Sequence, residues 1–510
     1  MTGNYATSMV ASYITSDDTI KIIKSLKRSG NPNIGITSNL IIENKELFAI
    51  PLTHLYNLSI SQGSFPDILK HATITPIHKS GPKNLIQNYR PISILSVYSK
   101  IIESLMKKDL LNYLSSKNIL CKEQYGFRKK LNTFDALNQI TDKLYTSINK
   151  HETAICVCID FAKAFDTVKH SILLEKLLFY GIRGKIHDWF SSYLSNRSQS
   201  TKYKDCTSDP HPIEYGVPQG SVLGPLLFLI FINDLPRIFS DLMTVLFADD
   251  ASFINSGTDV RALIYQTNKE LQKFYIWATV NRLTINFDKT VYLIITNKRL
   301  DVIPPVYIHF NFIKQVDKHK VLGVILDKKL SFLQHIQYIC KKVAKGISLL
   351  HQLKDLVPEY VLLCLYNAQI LPHLLYCIPI WGSTYTTHLQ PLFILQKRAI
   401  RLIAKRPYLD HTQPLFKRLK LLKLYDQIKL EIGTYMYKNR NSPDFEQCIH
   451  NYNTRHRDNI ILPRHDLTKY EHSIAYAGPK LWNSLKNHIK GLPSLHSFRR
   501  NYKKELLSHY

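Results

Sequence analysis

Three aspartates are the residues of this sequence best suited to chemistry. Asp160 follows a run of β-branched and small residues, and Asp249 and Asp250 form an acidic pair inside a second apolar stretch. Carboxylate oxygens are the ligands that Mg²⁺ prefers, and two such ions ~3.5–4 Å apart can activate an attacking oxygen and stabilise a leaving one. If the strands that carry these aspartates are neighbours in one sheet, the three carboxylates form a single site suited to nucleotidyl transfer.

The acidic pair needs its context, because an isolated Asp-Asp usually marks a simple turn. Here the flanking residues 245–247 and 253–254 are strongly apolar. Burying two carboxylates beside such residues is costly unless a cation compensates the charge. The pattern therefore predicts a hairpin over 243–254 whose tip carries the two acids.

The elements around Asp160 read as strand, turn and helix. Residues 154–161 are typical of a buried strand, and apolar residues recur with helical spacing up to Gly181. Asp166 is predicted to cap the start of this helix and Gly181 its end. Cys156 and Cys158 alternate along the strand, so both are expected to fill one side of the sheet.

Upstream, the sequence predicts further helices and a strand. A helix is expected over 17–26 with Thr15 or Ser16 as its cap, followed by a break at 30–35. A strand is expected over 71–79 and a helix over 99–114. A helix over 221–233 should follow a glycine-containing loop, and the chain beyond about residue 330 is expected to be mostly helical.

Composition points to a polyanionic partner. The 510-residue chain has 67 Lys and Arg against 39 Asp and Glu, a net charge of +28. Phosphate backbones attract such a surface through counterion release. The eight cysteines lack the two-residue spacing of zinc sites, and neither a signal peptide nor a membrane-spanning stretch is recognisable. An intracellular protein, nuclear or cytoplasmic and without membrane contact, is the resulting expectation.

The last part of the chain holds half of the net charge. Residues 391–510 contain 23 Lys and Arg against 9 Asp and Glu, a net charge of +14. The region is predicted to bind RNA or DNA without sequence preference, with Tyr470, Tyr476 and Trp482 available for stacking on bases. Solvated helix faces are the alternative explanation for many of these charges.

Seven short strings, taken in order, resemble the motifs of reverse transcriptases from non-LTR retrotransposons of the LINE type, in particular the jockey-like group. Each string alone is moderately specific, whereas the ordered set is very specific. The strings are NYRPIS at 88–93, QYGFR at 124–128, DFAKAFD at 160–166, GVPQGS at 216–221, FADD at 247–250, NFDKT at 286–290 and LGV at 322–324. GPKLWN at 478–483 further resembles a C-terminal signature of the jockey-like group.

The resemblance implies an α+β right-hand polymerase fold with fingers, a palm built on an antiparallel sheet, and a thumb, followed by a mostly helical basic C-terminal region. The implied domains are a helical N-terminal extension of the fingers at 1–70, fingers and palm at 71–328, thumb-like helices at 329–400, and a basic nucleic-acid-binding region at 401–510. Fewer than 20 residues precede the first expected helix, so an upstream endonuclease domain is not expected in this polypeptide, and no RNase H-like segment is recognisable after the thumb.

The resemblance also implies roles for particular residues. Asp160, Asp249 and Asp250 match the family's catalytic triad, which holds two Mg²⁺ ions, with Mn²⁺ as the alternative. Phe165 matches the steric gate that excludes a ribose 2′-hydroxyl, although a core aromatic is the alternative. Leu322 lies in the string that matches the family's primer grip, together with the glycine that follows it.

Five further residues match substrate-binding positions of the family. Lys79 and Arg90 match finger residues that contact the incoming triphosphate, with a solvated finger surface as the alternative. Gln219 and Gly220 lie in the loop expected near nucleotide or template, where glycine permits close approach. Lys289 matches a lysine proposed to protonate pyrophosphate, and a solvated lysine is its alternative.

The resulting hypothesis is a reverse transcriptase that extends a DNA primer on an RNA template with deoxynucleoside triphosphates. The first alternative is a catalytically silent, truncated retroelement protein that binds RNA or DNA. An altered turn at 30–35 favours this alternative, whereas the intact acids favour activity. A polymerase serving intron mobility is a third class, but no maturase-like region is evident in the sequence.

Overall fold

The computed structural model describes residues 7–28, 36–300, 303–442, 445 and 459–510. The predicted break at 30–35 lies outside these residues. The strands are β1 (His71–His78), β2 (Tyr89–Ile94), β3 (Thr153–Ile159), β4 (Arg197–Tyr203), β5 (Cys206–Thr207), β6 (His211–Ile213), β7 (Met243–Phe247), β8 (Asp250–Gly257), β9 (Val291–Ile295), β10 (Tyr307–Ile308), β11 (Asn311–Phe312), β12 (Lys314–Gln315), β13 (Lys318–Val321) and β14 (Val324–Asp327).

Helices dominate both ends of the described chain. Those before residue 300 are α1 (Ser16–Ser25), α2 (Ser38–Glu43), α3 (Lys45–Gln62), α4 (Val97–Ser116), α5 (Thr133–Asn149), α6 (His170–Phe179), α7 (Gly184–Leu194), α8 (Gly224–Phe231) and α9 (Val260–Val280). The later ones are α10 (Leu333–Leu353), α11 (Glu359–Gln369), α12 (Leu371–Leu375), α13 (Ile378–Trp381), α14 (Thr386–Ile403), α15 (Gln413–Arg418), α16 (Leu424–Asn439), α17 (Ile474–Ser484), α18 (Asn487–Lys490) and α19 (Leu495–Ser508).

A five-stranded sheet forms the centre of the molecule, with the strand order β12-β9-β3-β8-β7. All seven residues of β3 are buried, which fits their β-branched, small and apolar side chains. The strand pairs antiparallel with β8 on one side and β9 on the other. β7 and β8 form the predicted hairpin, and β12 joins β9 in parallel. The sheet is thus antiparallel except at one edge.

β3 divides the interior into two cores because its side chains alternate between the two faces. Ile155, Val157 and Ile159 face a core shared with helices α1, α3, α4 and α6–α9. Cys156 and Cys158 face a second core that includes α5 and the helices from α10 onwards. The prediction that both cysteines fill one side of the sheet is confirmed.

A second sheet, from the N-terminal part of the chain, has β1 at its centre. β2 pairs antiparallel with β1, β4 pairs parallel with β1, and β5 and β6 pair antiparallel with β4. The predicted strand over 71–79 and the predicted helices over 17–26 and 99–114 are confirmed within one or two residues. Thr15 caps α1, and its capping box with Asp18 stabilises the helix start.

One predicted cap is wrong. α6 begins at His170 with Lys169 as its N-cap residue, so Asp166 does not cap it. The Asp166 carboxylate instead accepts a hydrogen bond of 2.8 Å from Gln219. The helix end was predicted correctly, because Gly181 follows the last turn with a φ of +88° that favours glycine.

The C-terminal helices are part of the second core. The predicted availability of Tyr470, Tyr476 and Trp482 for base stacking is wrong, because all three rings are buried there. The tail also closes against α5, where the side-chain oxygen of Asn149 accepts N–H bonds from Asp466 at 2.9 Å and from Leu467 at 3.3 Å. Because these bonds and buried rings bridge distant parts of the sequence, the tail is built into the fold.

Several of the basic tail residues make contacts within the protein. Arg499 pairs with Glu431 at 2.7 Å, Arg418 pairs with Glu359 at 2.6 Å, and Arg401 donates to a backbone carbonyl. These contacts account for part of the basic pattern without a nucleic-acid ligand. In the part of the chain that the structure covers, none of the helices combines the length and the apolar character that crossing a lipid bilayer requires.

A buried histidine joins α10 to the β13–β14 hairpin. The side chain of His335 is almost fully buried, and its Nδ1 accepts the N–H of Ile325 at 3.3 Å. Its ring packs edge-on against Trp381 at 5.6 Å. Burial lowers the pKa of His335 to about 4, and the positive charge of Lys320 also lowers it. The imidazole is therefore neutral in the fold at neutral pH.

We predict that His335 makes the free energy of unfolding depend on pH. The unfolded chain protonates this histidine near its ordinary pKa, so its contribution is fully present above about pH 6.5 and is lost as the pH falls towards 4. Urea unfolding should lose about 2 kcal/mol between pH 7 and pH 5 from this residue. His335→Gln, which keeps an acceptor, should remove that share, with the exposed His54→Gln as control. Equal pH slopes for His335→Gln and the unaltered chain would contradict the assignment.

Candidate active site

The three predicted aspartates meet at one end of the central sheet. In the β3–β8 pairing, Ile159 stands opposite Ala251, so Asp160 and Asp250 come next on adjacent strands. Asp249 occupies the turn between β7 and β8, directly after Ala248, whose φ is +55°. Strand pairing thus brings these acids together although they lie far apart in the sequence.

A loop before β9 holds Asp160 in place. The side-chain amide of Asn286 donates to Oδ2 of Asp160 at 2.9 Å, and the backbone N–H of Asn286 donates to the Asp160 carbonyl at 2.8 Å. The ammonium of Lys289 lies 3.8 Å from the same carboxylate oxygen. The predicted residue Lys289 is therefore part of the cluster, although its side chain is largely exposed.

The acidic turn is fixed from its other side by the QYGFR string at 124–128. The buried side-chain oxygen of Gln124 accepts the N–H of Ala248 at 3.0 Å and that of Gly126 at 2.8 Å. The backbone of Leu246 bonds to that of Glu123 and Tyr125 on either side. A Cβ at Gly126 would lie 2.3 Å from the nitrogen of Ala248, so this close approach requires glycine.

Electrostatics at the acidic cluster favour a bound cation. Burial raises the pKa of Asp249, and the negative charge of Asp160 raises it further. The pKa of Asp250 is raised to about 6 by burial first and then by the charges of Asp249 and Asp160. Like charges in a partly dry recess disfavour ionisation, and a nearby positive charge relieves this cost.

The two basic side chains that were predicted to bind the triphosphate, Lys79 and Arg90, act on this cluster from the β1–β2 hairpin. Lys79 and Arg90 both oppose the rise in the pKa of Asp249, and Lys79 does the same for Asp250. Arg90 stands opposite Ile77 in the strand pairing, and the side chains of Lys79 and Arg90 are exposed. The hairpin therefore presents two solvated positive charges towards the acids.

Phe165, five residues after Asp160, contacts both the 216–221 loop and the QYGFR string. The ring of Phe165 stacks on Phe228 at 4.4 Å and meets Phe127 edge-on at 6.4 Å. Its backbone carbonyl accepts the N–H of Val217 at 2.8 Å. Phe165 is only partly buried, and its ring packs against Phe228.

The loop after Val217 needs glycine at one position. Gly220 has a φ of +129°, and a Cβ there would lie 2.3 Å from the carbonyl oxygen of Ser93. The neighbouring carbonyl of Gln219 accepts the N–H of Ser93 at 2.7 Å. β2, the strand that carries Arg90, is therefore pressed against the loop with no room for a side chain.

A cleft of about 410 Å³ opens beside the acids, between the central sheet and the β13–β14 hairpin. Asp160, Asp250 and Lys289 line one part of it, and His319 and Leu322 line another. The hairpin turn is held in place because the carbonyl of Leu322 accepts the hydroxyl of Tyr376 at 2.6 Å. The predicted primer-grip residue Leu322 thus borders the same cleft as Asp160 and Asp250.

The side chains present suit a divalent metal in their chemistry. Asp160, Asp249 and Asp250 share one recess, and the negative charge of Asp160 raises the pKa of the other two. Clustered carboxylates are the donor set that Mg²⁺ prefers. Among the residues that the structure describes, no three His, Cys, Asp or Glu side chains are already arranged as a metal-binding group. At Asp160, Asn286 instead donates a hydrogen bond to the carboxylate, and the ammonium of Lys289 offsets part of its charge.

Comparison with known proteins agrees with this geometry. The family model for reverse transcriptase (RNA-dependent DNA polymerase) matches residues 77–326, the segment that contains all three aspartates. Residues 77–326 belong to the reverse transcriptase family. The match begins within β1 and ends within β14, so this reverse transcriptase domain includes both sheets and the cleft.

Similarity to named relatives extends beyond the reverse transcriptase domain. The probable RNA-directed DNA polymerase from transposon BS of Drosophila melanogaster is 30% identical over 441 residues, which are 83% of this chain and 48% of that protein. The RNA-directed DNA polymerase from mobile element jockey of the same species is 28% identical over 84% of this chain and 48% of its own length. The chain spans about half the length of these curated relatives.

Sequence reasoning did not single out two polar residues of the reverse transcriptase domain. Gln124 fixes the acidic turn and Asn286 fixes Asp160, yet both contacts join residues more than 120 positions apart. Both residues lie inside strings that carried the family resemblance, QYGFR and NFDKT. A polar residue within such a string, beside a strand end, was the available signal.

We predict that Gln124→Leu destabilises the acidic turn. The change leaves the N–H groups of Ala248 and Gly126 buried without an acceptor, which should lower the free energy of unfolding by about 2 kcal/mol. Chemical denaturation measures this loss, and the partly exposed Gln266→Leu serves as the control. A variant as stable as the unaltered chain would show that the two N–H groups do not depend on Gln124.

Proposed function

We propose that the chain is the RNA-directed DNA polymerase of a non-LTR retrotransposon, which extends a DNA primer on an RNA template. The observation that carries this proposal is the convergence of Asp160, Asp249 and Asp250 at one end of the central sheet. The raised pKa values of Asp249 and Asp250 and the cations of the β1–β2 hairpin are what a site for metal ions and a triphosphate needs. The family match supports the same reaction.

The proposed architecture is that of a right hand. The sheet around β1 forms the fingers, the central sheet forms the palm, and the helices from α10 to α14 form the thumb. Residues 1–70 extend the fingers, 71–328 hold fingers and palm, 329–400 hold the thumb, and 401–510 form a basic region that contacts nucleic acid. The placement of the cleft between the palm and the β13–β14 hairpin supports this division, because a primer end must reach the aspartates there.

Each side of the site has a proposed task. Asp160, Asp249 and Asp250 would hold two Mg²⁺ ions, which when bound lower the cost of charge on the attacking and leaving oxygens. Lys79 and Arg90 bind the triphosphate of the incoming nucleotide, and Lys289 supplies a proton to the departing pyrophosphate. The acids, in turn, lose their mutual repulsion only when cations are present.

The remaining residues select and position the nucleotide. The ring of Phe165 excludes a 2′-hydroxyl, because it is packed on Phe228 and cannot retreat. Gln219 and Gly220 bring the loop backbone close to the base pair that is being formed. Leu322 and the turn that follows it position the primer end beside Asp160.

The alternative is a catalytically silent protein that binds RNA or DNA through its basic surface. Both functions predict binding that weakens steeply with salt, so affinity does not separate them. Incorporation of nucleotides does separate them. The intact acidic cluster and its fixed surroundings favour the enzyme, because a binding protein has no need to maintain three repelling carboxylates.

We predict that Asp249→Ala abolishes extension. Purified protein, a primed RNA template, deoxynucleotides and Mg²⁺ should give product for the unaltered chain, and the variant should lose at least about a thousandfold in rate. Asp241→Ala, at an exposed carboxylate just before the same hairpin, should extend normally. Robust extension by folded Asp249→Ala would refute the metal assignment, and no extension by the unaltered chain would favour the silent binding protein.

We predict that Phe165→Ala admits ribonucleotides. Removal of the ring opens the space next to the sugar, so the ratio of deoxynucleotide to ribonucleotide incorporation should fall by about a hundredfold. Single-nucleotide incorporation kinetics measure this ratio, and circular dichroism reports whether the variant is folded. Phe310→Ala removes a largely exposed ring as a control. Unchanged discrimination in the folded variant would remove the steric-gate role.

A further inference from the structure

A buried carboxylate on α4 has no part in the site described so far. Glu103 has no exposed surface, which is rare for glutamate unless its charge is paired and hydrogen-bonded. One carboxylate oxygen accepts the N–H groups of Val222 at 2.7 Å and Leu223 at 3.1 Å. The other accepts the hydroxyl of Ser99 at 3.0 Å. Both oxygens are thus used, and two of the three bonds reach a distant loop.

Those two N–H groups belong to Val222 and Leu223, the two residues directly before α8, and Leu223 is the N-cap residue of that helix. The N–H groups around a helix start lack partners within the helix. Glu103, 120 residues earlier in the chain, accepts the N–H of this N-cap residue. Ser221 completes the turn by donating to the carbonyl of Pro218 and accepting the N–H of Gly224, each at 2.9 Å.

The segment just before α4 also holds the turn, through a backbone hydrogen bond at Gln219. β2 leads directly into α4, and the N–H of Ser93 donates to the carbonyl of Gln219 at 2.7 Å. The turn itself contacts residues that follow Asp160. Gln219 donates to the carboxylate of Asp166 at 2.8 Å, and Val217 donates to the carbonyl of Phe165 at 2.8 Å. A shift at residues 222–223 would therefore reach the gate residue.

The charge of Glu103 has a buried counterpart. Arg197 on β4 is almost fully buried and donates to the carbonyl of Tyr193 at 3.0 Å. Burial raises the pKa of Glu103, whereas the Leu223 N–H and the positive charge of Arg197 lower it. A buried carboxylate with a distant counter-charge and two loop N–H groups is costly to maintain, which fits a demand for precise loop position.

We infer that Glu103 is a positioning residue for the incoming deoxynucleotide. It fixes the 216–223 turn through Val222 and Leu223, and the turn in turn holds Gln219 and Phe165 at the nucleotide. This inference rests on the proposed polymerase function. Because Glu103 is fully buried, it acts through the turn and not by touching nucleotide or metal. It therefore acts on the KM for the nucleotide and on sugar selection while leaving the affinity for primer–template unchanged.

Three substitutions at this position separate reach, charge and hydrogen bonding. Glu103→Met keeps the length but removes the acceptor, Glu103→Asp keeps the charge but shortens the reach, and Glu103→Gln keeps an acceptor for both N–H groups. Glu103→Met and Glu103→Asp should raise the KM for deoxynucleotides about tenfold and lower sugar discrimination, because the loop loses bonds to a charged acceptor. Glu103→Gln should stay within about twofold of the unaltered chain.

Amide hydrogen exchange gives a second measurement that does not depend on catalysis. Val222 and Leu223 should exchange at least about tenfold faster in Glu103→Met and Glu103→Asp than in Glu103→Gln. If Glu103→Met does not fold, Glu103→Asp carries the test. Wild-type exchange rates in either folded variant, or a loss of primer–template affinity or kcat with an unchanged nucleotide KM, would overturn the inference.

The proposed function fails in a different way. If the unaltered chain gives no extension at all, the polymerase proposal is overturned, and the nucleotide role of Glu103 falls with it. The exchange rates at Val222 and Leu223 would still report whether the carboxylate fixes the turn. If the unaltered chain is an active polymerase and its KM for deoxynucleotides does not change in Glu103→Met or Glu103→Asp, only the inference about Glu103 is overturned.

Discussion

The mutual repulsion of three carboxylates at the end of one sheet is the constraint on which the rest of this structure depends. Asp249 and Asp250 resist ionisation because burial and neighbouring negative charge both raise their pKa. The fold keeps them together by bonds to their backbone and flanks rather than by neutralising them fully. Gln124 accepts the N–H of Ala248 beside the acidic pair, and Asn286 donates to the carboxylate of Asp160. The cluster therefore keeps negative charge that a bound cation would stabilise.

The parts of the structure that were predictable from sequence are those governed by local pattern. Alternation in β3 gave the shared side of Cys156 and Cys158, and the apolar flanks of the acidic pair gave the β7–β8 hairpin. Capping chemistry gave the start of α1 at Thr15. The meeting of the aspartates followed from family resemblance and was then found in the strand register. The roles of individual site residues remain predictions.

The parts that were missed depend on tertiary packing. Asp166 has the residue type of a helix cap, but the 216–221 loop brings Gln219 to its carboxylate and the helix starts later. Tyr470 and Trp482 are of the residue types that stack on bases, but their rings are buried in the second core. In the sequence, Glu103 resembles an ordinary helix glutamate. Its role depends on a loop 119 residues away that packs against it in the fold. No window along the sequence contains such information.

The closure of the tail on α5 has a consequence for how the polypeptide matures on the ribosome. The side chain of Asn149 bonds to the backbone of Arg464, Asp466 and Leu467, more than 300 residues later. Apolar faces of α5 and of the sheet beside it thus stay uncovered while the intervening helices are being synthesised. Nascent chains with such long-delayed partners are exposed to aggregation and to chaperone binding. The second core is therefore completed only when the C-terminal helices have been synthesised. A chain that stops before them would leave part of this core exposed to solvent.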